Sequence, residues 1–342
     1  MVFRTSNAGL HRAVASAWRV VHYAFHDWTR EMTSPRRFVT IAGLVLQGYA
    51  FYALFTRSLV WPLIWPRGPA LYVGIGLLYM LGYWITNVML TSEFVRKTQL
   101  ESDLIAAQQI QRTLQPDKVE QLSGYQLESY YKPFRGVGGD YFDVIGLGDS
   151  RTLFALADVS GKGMPAALLA SNIQALVRSI ADTEADLPTL ANRINRHLIR
   201  YTPRDRFATA VFILLSPDSG ELVYVNAGHN PPMLCGSGST RFLEATGLPV
   251  GLFPSAEYEA RVTTMHPGDL LLIFTDGLPD SVFGESPESR LREVLTGEPR
   301  SSLANLEGLV DPTLNQDDIT ILILKRAAIE ARDDTNILSA GG

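Results

Sequence analysis

The sequence predicts an α+β sandwich preceded by a two-helix transmembrane hairpin and a helical linker. Two observations carry the prediction. Residues 38–55 and 71–90 carry no formal charge, and each is roughly 18–20 residues long, about what a bilayer core requires. Beyond residue 116, short apolar strands recur as antiparallel hairpins, with two helical segments (164–180 and 187–201) inserted as a pair. That pattern favours an α+β sandwich over a doubly wound parallel sheet.

The elements follow in chain order. Leu10, Val14, Trp18, Val21, Phe25 and Trp28 recur at three- and four-residue steps. They mark residues 1–37 as an amphipathic cytoplasmic segment suited either to a membrane interface or to packing on its own protein. The scarcity of acids there also suits an organelle transit peptide. The two apolar runs define a hairpin over 38–90, joined by a short loop with Trp61 and Trp65. Arg30, Arg36, Arg37, Arg96 and Lys97 flank its ends, against Arg57 and Arg67 in the connection. The positive-inside rule then places both termini in the cytoplasm, in a two-pass inner-membrane protein. In the linker, 91–116, Leu100, Leu104, Ala107 and Leu114 form a seam with Gln111 as its one polar position. That spacing suits a coiled-coil homodimer, or packing of the helix on its own domain. Pro116 ends the helix. Residues 117–326 make up the sandwich, and 327–342 form a polar tail expected to be disordered.

The centre of that domain is the stretch 134–167. Gly138-Gly139-Asp140-Tyr141-Phe142-Asp143 precedes an apolar run at 144–147; a turn at Gly148-Asp149-Ser150 leads to a second run at 153–157; and Asp158-Val159-Ser160-Gly161-Lys162-Gly163 opens a helix. The reading is strand, turn, strand, with Asp140 and Asp143 before the first strand and Asp158 closing the second. Further acids sit at other strand boundaries, Asp276 after one and Asp317 with Asp318 before another. Oxygen ligands clustered without thiols suit a hard cation such as Mg²⁺ or Mn²⁺.

Composition narrows the alternatives. Residues 1–100 carry 10 Lys/Arg against 3 Asp/Glu, and the remainder 20 against 32. A basic front beside apolar runs points to a membrane surface, and the acidic remainder argues against nucleic acid. Cys235, the single cysteine, excludes an intrachain disulfide and multi-cysteine zinc sites.

Five motifs occur in order: Gly138-Gly139-Asp140-Tyr141-Phe142-Asp143, Ala157-Asp158-Val159-Ser160-Gly161-Lys162-Gly163, Asn226-Ala227-Gly228-His229-Asn230-Pro231-Pro232, Phe274-Thr275-Asp276-Gly277 and Asp317-Asp318-Ile319-Thr320. Together they resemble the bacterial stage II sporulation E-like branch of the metal-dependent PP2C protein serine/threonine phosphatases, over roughly residues 101–325. The resemblance implies an αββα sandwich with two Mn²⁺ or Mg²⁺ ions at one edge. It implies catalytic, metal-binding roles for Asp140, Asp158, Asp276 and Asp317, with the Val159 carbonyl as a further ligand and Asp143 and Asp318 behind them. It further implies a phosphoserine or phosphothreonine protein substrate, in this branch usually an anti-sigma-factor antagonist. Two-metal chemistry would lower the pKa of an attacking water and screen the phosphate. Eukaryotic members place a histidine just after the bridging aspartate, where this chain has Ser160 and Lys162. His229 reads as a turn residue, and Arg135 as either a phosphate contact or a surface residue.

Two other readings compete. Cys235 and Arg241 fit the Cys-x5-Arg spacing of cysteine phosphatases, but residues 241–249 make a poor helix and a hairpin reads better. An inactive, partner-binding platform is a different class, and retention of every expected aspartate argues against it.

Overall fold

The computed structural model describes residues 34–60, 70–114, 116 and 122–328, apart from 135, 149, 182–185, 237–238, 282–286, 296–297, 312–313 and 315. The N-terminal amphipathic segment, Trp61 and Trp65, Arg135 and the tail from 329 lie outside the described residues. The chain divides into two units, Met1–Ser102 and Asp103–Gly342.

In the first unit, α1 (Ser34–Val60) meets the early part of α2 (Ala70–Leu114). Gly43 and Gly82 mark the contact: a Cβ on Gly82 would lie 3.1 Å from the Gly43 carbonyl oxygen. Small residues there let the two backbones approach. Large apolar side chains point outward instead, among them Phe38, Tyr49, Phe51, Leu77 and Trp84, all more than half exposed. Among the described residues one helix, Val73–Leu114, is long and apolar enough to cross a membrane, and Phe38–Ala53 is a shorter apolar stretch.

The second unit is a sandwich of two antiparallel sheets. Its strands are β1 (Tyr125–Lys132), β2 (Asp140–Gly146), β3 (Thr152–Val159), β4 (Ala208–Ser216), β5 (Glu221–Ala227), β6 (Met233–Gly236), β7 (Ser239–Phe242), β8 (Arg261–Thr264), β9 (Leu270–Phe274) and β10 (Ile319–Arg326). Sheet I has the order β2-β3-β4-β5-β8, and sheet II the order β1-β10-β9-β6-β7. Helices α3 (Met164–Ala181) and α4 (Leu187–Tyr201) cover sheet I. The turn α5 (Gly277–Asp280) and helices α6 (Pro287–Val294) and α7 (Pro299–Leu309) cover sheet II. The layers are αββα.

Strand alternation sorts the side chains into these layers. On β3, Leu153, Ala155, Ala157 and Val159 pack under the helices, whereas Phe154 and Leu156 face sheet II. On β10, Ile319, Ile321 and Ile323 face α7, whereas Leu322 and Leu324 meet sheet I. The apolar run at 144–147 suggested a strand starting after Asp143, yet β2 begins at Asp140. Tyr141 and Phe142 are both buried, one beneath the helices and one between the sheets. The alternation therefore continues through the two aspartates that had masked it.

Local chemistry fixes the helix next to the sheet. Asp186 caps α4, accepting from the Thr189 amide at 3.0 Å, and a proline stands in the first turn. Leu190, Ala191, Ile194 and Leu198 then recur on one buried stripe. Phe212, fully buried in β4, packs beneath that stripe. Replacing it, Phe212→Ala, is expected to cost about 3–5 kcal/mol in chemical denaturation. A loss below about 1 kcal/mol would contradict this packing.

Candidate active site

The inter-sheet parity that builds the core also gathers the acids at one end of it. Asp158 shares the face of Phe154 and Leu156, Asp140 that of Phe142, and Thr320 that of Leu322. Asp140 and Asp158 are direct cross-strand partners in the β2–β3 pair. Asp276 follows β9 at the start of α5, where its carboxylate is held by the Gly277 backbone amide. Asp317 and Asp318 lead into β10.

Each acid is held differently. Asp140 is buried and accepts from the Thr275 hydroxyl at 2.9 Å and the Thr320 hydroxyl at 2.5 Å. Asp318 accepts from the Phe134 amide at 2.7 Å and the Gly139 amide at 2.6 Å, tying the Gly138-Gly139 loop to β10. A side chain would crowd that loop: a Cβ on Gly138 would come within 2.8 Å of the Asp318 carboxylate, and one on Gly139 within 3.2 Å of the Val159 carbonyl. Asp143 stands apart. It lies an odd number of residues from Asp140, so it faces the helix layer, where Arg178 of α3 grips it at 2.6 and 3.2 Å.

The cluster is electrostatically strained. Burial, then the neighbouring charges of Asp158 and Asp318, push the Asp140 carboxyl well above the usual range. Burial, followed by Asp276, Asp317 and Asp318, pushes Asp158 up to about 8. Burial and then Asp317 raise Asp276. Lys162 offsets part of this; its ammonium lies 2.6 Å from Asp317 Oδ2, donates to the Gln316 carbonyl, and sits 5.6 Å from the centre of the Phe134 ring.

A divalent cation fits the chemistry of this donor set. The converging groups are all oxygens, and a cation, the Lys162 ammonium, already sits on one of them. Among the described residues no three acids, histidines or cysteines are drawn in to metal-holding distance. The acids nonetheless lie within each other's electrostatic reach, as the raised pKa values of Asp140, Asp158 and Asp276 show.

Two residues weighed against the acids in the sequence have other roles. His229 is buried between Thr209 and the Phe274 carbonyl, 2.8 and 3.1 Å away. A carbonyl only accepts, so Nε2 carries the proton and Nδ1 accepts from the Thr209 hydroxyl. Burial lowers its pKa to about 4. Cys235 and Arg241 face each other's strands in the β6–β7 hairpin, with no helix at the arginine and burial raising the thiol pKa. A thiolate phosphate loop needs the opposite shift. The turn residues 237–238 of that motif lie outside the described residues.

Two features had no reading as site partners in the sequence. Thr275 and Thr320 stand inside the Asp276 and Asp317 motifs, and their hydroxyls orient Asp140. Gln111, expected at a coiled-coil seam, is used inside its own domain: its amide donates to the Gly138 carbonyl at 2.7 Å and accepts from the Gly138 amide at 3.1 Å.

Comparison with known proteins extends the geometry. The family model for Stage II sporulation protein E (SpoIIE) matches residues 148–327, more than half of the chain. Protein IcfG of Synechocystis is 26% identical over 265 residues, covering 66% of this chain and 41% of that protein. Phosphoserine phosphatase RsbU of Bacillus subtilis is 27% identical over 241 residues, covering 67% of this chain and 71% of RsbU. The chain thus spans well under half the length of IcfG. The solved SiaA-PP2C domain of Pseudomonas aeruginosa superposes with a TM-score of 0.59 over 67% of this chain and 98% of its own, at 21% identity, which shows a shared fold.

Two outcomes follow from these contacts. Gln111→Leu leaves both backbone groups of Gly138 without their partner and is expected to destabilise the domain by about 1–3 kcal/mol. Faster amide exchange at 136–139 would accompany the loss, and unchanged exchange would contradict it. For His229, the folded pKa of about 4 lies below the usual 6.5. The unfolded chain therefore binds the extra proton first, and stability falls as pH drops from 6.5 towards 4. Imidazole NMR should find His229 neutral at pH 5.5; a charged ring there would contradict the assignment.

Proposed function

Because the chain belongs to the stage II sporulation protein E (SpoIIE) family, we propose that it is a metal-dependent protein serine/threonine phosphatase that removes phosphate from phosphoserine or phosphothreonine on a partner protein. The observation that carries the reading is the convergence of Asp140, Asp158, Asp276 and Asp317 at one mouth of the sandwich, with oxygen as the only donor type. Together with the Val159 carbonyl they would hold two Mn²⁺ or Mg²⁺ ions. When bound, such ions lower the pKa of a water nucleophile and offset the charge of the phosphate.

The chain's own residues prepare that site. Thr275 and Thr320 hold Asp140 as an aimed acceptor. Asp318 fixes the glycine loop beside it. Lys162 brings a cation to the mouth, placed to attract a phosphate dianion. Asp143 acts at a distance, pinning α3 to β2 through Arg178.

The partner is, in this reading, a phosphorylated anti-sigma-factor antagonist, the usual substrate of this branch. RsbU, a relative, is named a phosphoserine phosphatase. The segment 38–90 is read as a two-pass hairpin in the cytoplasmic membrane. Its support is the close Gly43–Gly82 crossing, with apolar side chains turned outward rather than into a core. Both ends would face the cytoplasm, where the domain at 117–326 works, and the linker 91–116 would join two copies through the part that precedes the contact of Gln111 with its own domain.

The test uses the purified full chain with Mn²⁺ and a phosphoserine peptide. Asp158→Asn is expected to abolish turnover while the protein stays folded, EDTA to stop the parent enzyme, and Cys235→Ser to leave turnover unchanged. Full activity in a folded Asp158→Asn protein would overturn the metal reading. EDTA-resistant turnover that is lost in Cys235→Ser would install the cysteine chemistry instead.

A further inference from the structure

Helix α4 and the loop after it form a basic strip on an acidic domain. Between residues 193 and 206 stand five arginines and one acid, Asp205, whereas residues 101–342 as a whole carry 20 Lys/Arg against 32 Asp/Glu. The apolar stripe of α4 is buried, which leaves Arg196 and Arg200 exposed on its outer side, and Arg204 is exposed in the loop that follows. Among the described residues no acid is ion-paired to these three: Arg196 donates to the Asn192 carbonyl of its own helix, and Arg200 lies 5.4 Å from the Tyr201 ring centre.

Beside the strip runs a groove of about 290 Å³ between α3 and α4. Pro165, Leu168 and Leu169 line one wall, and His197, Tyr201 and Pro203 the other. Leu168 is 66% exposed and Tyr201 64%, large apolar surfaces left to water on facing helices. The His197 and Tyr201 rings lie 4.8 Å apart, so the tyrosine wall is braced rather than loose. Exposed apolar surface rimmed by polar residues marks interaction sites, and here the rim is predominantly basic.

The groove is joined to the acid cluster. Arg206, at its end, donates to the Ser160 carbonyl at 2.9 Å, and the Ser160 hydroxyl accepts from the Phe207 amide at 3.0 Å. Ser160 follows Asp158-Val159 directly, and α3 begins at Met164. Whatever lies in the groove is therefore a short step from Asp158.

We propose that this groove docks an acidic segment of the phosphoprotein substrate, with an apolar side chain seated between Leu168 and Tyr201 and carboxylates along Arg196, Arg200 and Arg204. The proposal rests on the phosphatase reading above. It adds a recognition surface outside the reacting atoms, set by charge complementarity: an acidic segment meets net negative charge over the domain as a whole and a run of arginines along α4 and the loop after it. Selectivity therefore resides in the peptide flanks, and a small aryl phosphate bypasses it.

The experiment compares three substrates on the full chain with Mn²⁺: p-nitrophenyl phosphate, a phosphoserine peptide flanked by Asp, Glu and Leu, and one of equal length flanked by Lys and Ser. The parent enzyme is expected to favour the acidic peptide about tenfold in kcat/KM, through KM, as three modest ion pairs would give. The advantage should shrink with added salt. The triple variant Arg196→Glu, Arg200→Glu, Arg204→Glu should lose or reverse the preference, and Leu168→Ser should weaken the acidic peptide several-fold. Hydrolysis of p-nitrophenyl phosphate should stay within about twofold in both variants, which also reports on folding. If the parent enzyme discriminates and the variants do not, the docking surface stands. If all three forms treat the peptides alike while p-nitrophenyl phosphate turns over, the surface is wrong and the phosphatase reading survives. If no substrate turns over, it is the phosphatase reading that fails. Loss of self-association in Leu168→Ser, or of binding to phosphatidylserine vesicles in the triple variant, without a peptide preference, assigns the groove to another occupant and overturns the proposal.

Discussion

Holding Asp140, Asp158, Asp276 and Asp317 within reach of one another works against folding, because burial and then the neighbouring charges raise the cost of ionising Asp140, Asp158 and Asp276. Asp158, pushed up to about 8 by burial and its neighbours, shows the size of the conflict. Its folded pKa lies above the unfolded one, so the folded chain binds the proton more tightly and the domain loses stability as pH rises between the two values. Much of the surrounding structure is arranged to tolerate that. Thr275 and Thr320 donate to Asp140, two backbone amides donate to Asp318, and Lys162 sits on Asp317.

The framework that imposes the convergence is the sandwich itself. Successive strand residues face opposite layers, so the residues that continue the inter-sheet core at its open end must face each other whether or not they are apolar. Asp158 and Thr320 continue the rows of Leu156 and Leu322, and Asp140 pairs with Asp158 across the β2–β3 ladder. That pair is built into the register of two sheets whose remaining inward positions are filled by side chains such as Phe154, Ile213 and Leu322. Asp276 and Asp317 complete the group from the connections after β9 and before β10.

Much of this was legible in the sequence, and the parts that were not share a cause. Asp158, Asp276 and Asp317 stand where apolar strands end or begin, with glycine or threonine within three residues of each, and that pattern marked them. Alternation also separates Asp143 from Asp140, yet the aspartates interrupted the apolar run and hid the strand's true start. Gln111 shows the deeper limit: helical spacing reveals which residues share a face, but not that the partner of one of them is the backbone of Gly138. Arg196, Arg200 and Arg204 were invisible as a group until the packing of α4 showed which side remained in water.

The central claim is that the acid cluster is a cation site whose own repulsion is relieved by the ions it binds. Isothermal titration of the full chain with Mn²⁺ near pH 7, in two buffers of different ionisation enthalpy, tests it most directly. The account predicts two ions per chain and release of protons on binding, because Asp158 is largely protonated beforehand. Absence of Mn²⁺ binding, or binding that releases no protons and persists unchanged in Asp158→Asn, would contradict it.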